Sequence, residues 1–268
     1  MKSSLVTVRP GTKIRLRDID PDATGGYSSK DETLERLGAL RERLSALQEA
    51  LYAEDKRSLL IVLQAMDTGG KDGALKSIMT GVNPAGVQVT SFKAPSTDEL
   101  SHDFLWRVHK AVPPKGIIGV WNRSHYEDVL IVRVHKMVEK KVWQARYDDI
   151  NNFEQMLTRN GVTILKFFLH ISKDEQKERL QARLDNPEKN WKFNPGDLKE
   201  RALWDDYQDA LDDALNKCST EHAPWTVVPA NKKWARNINL AEAVVEALEK
   251  MKPQYPKADF DPKSIVID

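Results

Sequence analysis

The chain has 268 residues, 40% hydrophobic and 30% charged, which supports one well-buried core and is too little for two large domains. A formal net charge of +1 gives no global field to attract a nucleic-acid partner, so any polyanion site must come from local clustering. The single cysteine, Cys218, excludes an intramolecular disulfide and points to a cytoplasmic protein. No apolar run approaches membrane-spanning length, and no signal peptide is expected.

Residues 1–30 read as a polar, turn-rich arm laid over the body. Leu34, Leu37, Leu40, Leu44, Leu47 and Leu51 recur at steps of three and four and predict a helix, so the arm and helix occupy about 1–57. The run "SLLIVLQAM" (58–66) predicts a strand buried on both faces, as in a parallel sheet. A helix is predicted at 71–81, a short strand at 86–92, and a helix at 97–112 that Pro113 and Pro114 stop. The run "GIIGVWN" (116–122) predicts a second apolar strand, and helices follow at 127–137 and 141–160. A third strand spans 161–171, after which Ser172 and Glu175 match a capping box. The polar loop 185–197, a helix at 199–217, a short strand at 225–230 and a final helix through Ile238, Ala241, Val245 and Leu248 complete the pattern. The tail 252–268 is expected to pack as an arm. Alternation of strands and helices predicts a single α/β domain over 1–268 with a parallel sheet flanked by helices.

The turn after the first strand carries the first chemical signal. A phosphate-binding loop has Gly, four residues, then Gly-Lys-Ser/Thr. Here the register reads Ala65, Met66, Asp67, Thr68, Gly69, Gly70, Lys71, Asp72, followed by Gly73. Gly69 and Gly70 let backbone approach a phosphate. The helix beginning near Lys71 points N–H groups and its positive dipole end at an anion, and Lys71 adds a mobile charge for a transferring phosphoryl group. Asp72 stands where Ser/Thr would ligate Mg²⁺, so one of the two carboxylates, Asp67 or Asp72, is the candidate to hold the metal. The plainer alternative is a glycine-rich turn with a solvated lysine.

The second strand ends in "NRSHYED" (122–128). Ligands of open α/β sheets bind beyond the carboxyl ends of strands, so Asn122, Arg123, Glu127 and Asp128 are expected to face the phosphate loop. Glu127 or Asp128 completes a metal site, and Arg123 clamps a phosphate oxygen. Ser124 with Glu127 also fits a capping box, and the two roles are compatible. Residues 173–201 hold eight Lys/Arg and seven Asp/Glu. Arg179 and Arg183 share a helix face, and Lys189 and Lys192 lie in the loop beyond. Helix, loop and helix after a core strand suit a mobile lid, here about 173–217, that excludes water from phosphates; a solvated helical hairpin is the alternative.

Taken together, "MDTGGKDG" (66–73), "APSTDELSHDFLWRVH" (94–109), "NRSHYEDVLIVRV" (122–134), "FFLHISKDEQKERLQARLDNPEKNWKFNPGDL" (167–198) and "APWTVVPANKKWARN" (223–237) resemble the polyphosphate kinase 2 family, in particular its class III subgroup. The resemblance implies a P-loop kinase fold similar to thymidylate kinase with a helical lid. It implies Mg²⁺-dependent phosphoryl transfer between inorganic polyphosphate and nucleotides, with Mn²⁺ as a substitute metal. AMP and ADP are the implied acceptors, with GMP and GDP as further ones. It makes Asp67 a metal ligand, puts Lys71 at the transfer point, gives Arg123 a phosphate, and assigns Arg179, Arg183, Lys189 and Lys192 to the polyphosphate chain. Many members have Asp where Asn122 stands, and Glu127 is the residue that replaces the lost carboxylate. The acceptor is expected near Arg107, Asn122, Arg123 and Arg133, and a homo-oligomer, dimer or tetramer, is implied. Two other functions compete with this one: an ATP-dependent nucleoside monophosphate kinase, and a module that only sequesters polyphosphate.

Overall fold

The computed structural model describes residues 4–267. Its strands are β1 (Val6–Thr7), β2 (Ser58–Ala65), β3 (Val87–Ser91), β4 (Ile118–Asn122), β5 (Val162–His170) and β6 (Trp225–Pro229). They form one sheet in the order β1-β6-β5-β2-β4-β3, parallel except for β1, which runs antiparallel to β6. The N-terminal arm therefore contributes an edge strand. Leu59 through Leu63 of β2 are fully buried, as a central parallel strand covered on both faces requires.

Ten α-helices are present among the described residues: α1 (Lys30–Glu54), α2 (Lys71–Ile78), α3 (Thr97–Leu100), α4 (Trp106–His109), α5 (Ile131–Val134), α6 (Lys140–Arg159), α7 (Lys173–Leu184), α8 (Gly196–Ala202), α9 (Trp204–Lys217) and α10 (Lys233–Met251). The leucines of α1 pack against α10, α10 packs against α2, and α6 packs over β5. β2 lies between β4 and β5, with its chain continuation α2 leading to β3 at the far edge. The order reverses beside β2, which opens a crevice at the carboxyl ends of β2 and β4.

Several elements differ from the sequence expectation. The helix expected at 97–112 is two single turns, α3 and α4. Ser101 Oγ bonds back to Asp98 O and Asp103 Oδ1 accepts from Leu105 N, so side chains compete for backbone groups between the turns. The helix expected at 127–137 becomes a 3₁₀ turn, His125–Asp128, followed by α5. The helix expected at 199–217 breaks at Leu203 into α8 and α9. Ser172 caps α7 by accepting from Glu175 N, but Ser172 N is met by Asn231 Oδ1 and the Glu175 carboxylate by Arg179, so the box is half formed. Residues 254–267 are exposed, and the tail does not pack as an arm.

Candidate active site

The carboxyl ends of β2 and β4 and the helices after β5 enclose a cleft of about 730 Å³. Its floor is the loop from Asp67 to Gly73. Gly70 adopts φ +94° as the residue before α2, a conformation that L side chains avoid. A side chain at 69 would run into Ala65 Cβ and Met66 O. No side chain caps α2, so its first N–H groups face the cleft with the positive end of the helix dipole. Thr68 takes φ +62° and is held from α7: Gln176 Nε2 donates to Asp67 O at 3.0 Å, and Arg179 Nη1 donates to Thr68 O at 3.0 Å.

Lys71, Asp67, Arg123 and Glu127 form one charge network. Lys71 Nζ donates to Ala65 O at 3.1 Å. Burial and the nearby Arg123 push its ammonium below the ordinary lysine value, with Asp67, Glu127 and Asp72 opposing. Arg123 Nη2 donates to Asp67 Oδ1 at 2.9 Å, and its Nε stands 4.0 Å from Glu127 Oε1. Burial pushes the Glu127 carboxyl up, against the pull of Arg123 and Lys71. Gln64 Nε2 donates to Glu127 Oε1 at 3.3 Å. Asn122 Nδ2 donates to Asp72 Oδ1 at 2.7 Å, so the residue in place of the usual aspartate is tied to the residue in place of the usual Ser/Thr.

Helix α7 and the 3₁₀ turn Pro187–Lys192 form the opposite wall. Arg179, Arg183, Lys189 and Lys192 all line the cleft, together with Gly69 through Gly73, Asn122 and Arg123. Arg179 is more constrained than a free phosphate ligand, since its donors go to Glu175, Thr68 O, Ala230 O and Asn231 O. Arg183 reaches Lys192 O at 3.0 Å and Asp197 at 3.3 Å. Eight cationic side chains face five carboxylates across the cleft, an excess that favours a polyanion in a chain of net charge +1.

Four expected residues are outside the cleft lining, and one of them, Glu127, connects to it through Arg123 and Lys71; the other three lie elsewhere. Asp128, a metal candidate by sequence, is held by Arg146 at 3.3 Å and stands 4.0 Å from Arg107, away from the cleft lining. The 3₁₀ geometry of 125–128 sends its side chain to a different side from Glu127. Arg133 bonds Asp213 at 2.7 Å and lies over the Trp143 ring, outside the cleft. Arg107 donates to Lys93 O at 2.8 Å and sits over Phe92, so it stands behind two lining residues without lining the cleft itself. Conversely, sequence reasoning did not single out Gln64, Lys93, Asp197, Lys233 or Arg236. Lys93, Asp197 and Lys233 line the cleft, and buried Arg236 donates to Gly70 O at 3.1 Å. "NKKWARN" carries two of them, but its register on α10 gives no sign of proximity to the loop.

The site suits a hard divalent cation. Asp67 and Glu127 offer carboxylates, and two buried oxygens nearby in sequence, Gln64 Oε1 and Thr68 Oγ1, have no hydrogen-bond partner. Among the described residues no three His, Cys, Asp or Glu side chains form a closed cage. Mg²⁺ needs none, since it takes one or two carboxylates and completes its shell with waters and substrate phosphates.

Comparison with known proteins gives concordant matches. The family model described as polyphosphate kinase 2 matches residues 27–256. The AMP/ADP-polyphosphate phosphotransferase of Meiothermus ruber is 54% identical over 262 residues, covering 97% of this chain and 98% of that protein. The ADP-polyphosphate phosphotransferase of Rhodopseudomonas palustris is 45% identical over 269 residues, covering 96% and 93%. The crystal structure of polyphosphate kinase 2 from Arthrobacter aurescens TC1 superposes with a TM-score of 0.93 at 50% identity, covering 96% of this chain and 93% of that one.

Proposed function

The chain belongs to the polyphosphate kinase 2 family, and from that premise we propose that it moves the terminal phosphoryl group of inorganic polyphosphate to AMP and to ADP, giving ADP and ATP. The observation that carries this reading is the meeting of two cationic surfaces on one cleft: the Gly69–Gly73 loop with Lys71, and the lid with Arg183, Lys189 and Lys192. A donor made only of phosphates needs such a channel and no pocket for a donor base.

The chemistry follows from charge. Phosphoryl transfer has a loose transition state, so catalysis is positioning plus neutralisation. Loop N–H groups and Lys71 hold the terminal phosphoryl group, and Lys71 meets the charge that develops on its equatorial oxygens. Arg123 steers the acceptor phosphate so that its oxygen attacks in line, with the bond to the next phosphate breaking on the opposite side. Asp67 and Glu127 would hold a divalent cation, Mg²⁺ or in its place Mn²⁺, which would supply positive charge against the phosphate oxygens during transfer. The lid excludes water, which otherwise would take the phosphoryl group.

Within this reading the architecture is a thymidylate-kinase-like P-loop fold working as one catalytic unit, with the lid at 173–217. GMP and GDP are further acceptors, the assembly is a homo-oligomer, dimer or tetramer, and the protein acts in the cytoplasm. No helix among the described residues is long and apolar enough to cross a membrane. The test is to incubate the purified protein with polyphosphate, Mg²⁺ and each nucleoside mono- or diphosphate, without ATP, and to identify products by chromatography. An ATP-dependent nucleotide kinase makes nothing from polyphosphate and AMP. A sequestering module binds polyphosphate and forms no product.

A further inference from the structure

The segment that carries Arg123 and Glu127 has two sides. Arg123 and Glu127 turn toward Lys71 and Asp67, while the three residues between them, Ser124, His125 and Tyr126, are buried. Arg123 takes φ +63°, and its N–H donates to Leu63 O at 3.1 Å. A left-handed conformation at a bulky residue persists only where the surroundings over-determine it. The buried side supplies that constraint.

Tyr126 stands at the centre of it. Its hydroxyl donates to Glu154 Oε1 at 2.9 Å and accepts from Lys166 Nζ at 2.8 Å. Lys166 also bonds Glu154 Oε2 at 2.5 Å and Cys218 O at 2.6 Å. His125 Nε2 lies 3.2 Å from Glu154 Oε1. Glu154 comes from α6 and Lys166 from β5, so two framework elements grip two successive residues of the segment. The ring of Tyr126 packs edge-on against Trp225 at 4.7 Å.

A core needs no such pair for stability alone. Taking a lysine and a glutamate fully out of water costs solvation, and apolar replacements of similar volume often serve as well. The pair adds direction, because a fully satisfied polar network fixes its members in one arrangement. Here the member so fixed is the phenol that lies one residue before Glu127 and three after Arg123.

We propose that Tyr126, held by the buried Glu154–Lys166 pair, is a positioning residue for phosphoryl transfer: it locks the 123–127 segment so that Arg123 and Glu127 both face the phosphate loop. This inference rests on the proposed transfer activity for its kinetic consequence and on geometry for the rest.

Tyr126→Phe tests it, since the ring is kept and only the hydroxyl is lost. Two readouts are taken well below the melting temperature. Hydrogen–deuterium exchange of a peptide spanning 122–130 is expected to quicken, and kcat for polyphosphate-dependent ADP formation is expected to fall about tenfold, as small misplacements of reacting groups do. The KM for polyphosphate stays at the wild-type value, because the donor is held by the lid and loop. Leu44→Ala, at a buried side chain of α1, is the control: it lowers the melting temperature and leaves both readouts unchanged. Glu154→Gln combined with Lys166→Met removes both charges together and is expected to reproduce the Tyr126→Phe pattern. Unchanged exchange at 122–130, or unchanged kcat with only a lower melting temperature, overturns the proposal and leaves a structural role. Failure of the wild type to use polyphosphate instead overturns the proposed function, and the exchange measurement still decides the positioning role.

Discussion

Arg123 donates to Asp67 at 2.9 Å, joining the loop after β4 to the loop after β2 across the mouth of the cleft. Each side chain neutralises the other at the point where phosphate and metal charges are proposed to meet. Asp72, in the first turn of α2, is engaged differently, through Asn122 at 2.7 Å. Asp67→Asn is therefore expected to lower kcat by about a hundredfold, since it removes a charge from the reacting centre. Asp72→Asn is expected to cost about fivefold, the scale of a carboxylate near a helix N-terminus. Steady-state kinetics of the two variants check the ranking; equal losses contradict it.

Glu127 faces Lys71 and Arg123, and Gln64 donates to it. Glu127→Gln keeps the shape and removes the charge. The expected outcome is a higher Mg²⁺ requirement, with AMP phosphorylation suffering more than ADP phosphorylation because AMP brings fewer oxygens to share the metal. Restoring Asp at 122 in that background recovers part of the loss. A Mg²⁺ titration of both reactions reads this directly, and an unchanged titration removes Glu127 from the metal site.

Lys189 and Lys192 are exposed side chains lining the wall of the cleft formed by α7 and the 3₁₀ turn after it. Lys189→Ala with Lys192→Ala is expected to raise the KM for polyphosphate and to flatten its dependence on ionic strength, since fewer charge contacts remain to be screened. The KM for AMP changes little. A shift confined to AMP shows that donor and acceptor have been assigned to the wrong walls.

The buried pair also sets a pH dependence of stability. Burial opposes ionisation of Glu154, but Lys166 and His125 outweigh it and hold the carboxyl below its ordinary value of 4.5. Between that ordinary value and the lower folded one, the unfolded chain binds more protons than the folded chain, so stability rises with pH. This contribution is present above pH 4.5 and lost as pH falls through the folded value. Melting temperatures measured downward from pH 5 are expected to fall more steeply in the wild type than in Glu154→Gln/Lys166→Met.

The central strands were legible because β2 and β4 are nearly continuous apolar runs and β5 is one interrupted by Thr163 and Lys166, as a doubly covered sheet requires; β1, two residues long, was not. The loop glycines and Lys71 were legible as a strand-to-helix turn that lines the cleft, because a positive φ such as that of Gly70 restricts residue type locally. Lys189 and Lys192 needed the family pattern, since the charge of 173–201 is nearly balanced. Asp128 and Glu127 are adjacent in sequence and equivalent in charge; only the 3₁₀ turn separates their directions. Lys233 and Arg236 reach the loop through the fold, from more than 150 residues away, and no local pattern announces that. The breaks at 101–105 and at Leu203 arise from local hydrogen bonding and a one-residue turn that apolar periodicity overlooks.

The most direct test of the account uses terminally ³²P-labelled polyphosphate with AMP and Mg²⁺ and no nucleoside triphosphate. The predicted result is label in the β-phosphate of ADP, formed by the wild type and reduced about a hundredfold or more in Lys71→Ala, with the folded state of that variant verified by circular dichroism. Absence of labelled ADP from the wild type, with ADP appearing only once ATP is supplied, contradicts polyphosphate as the donor.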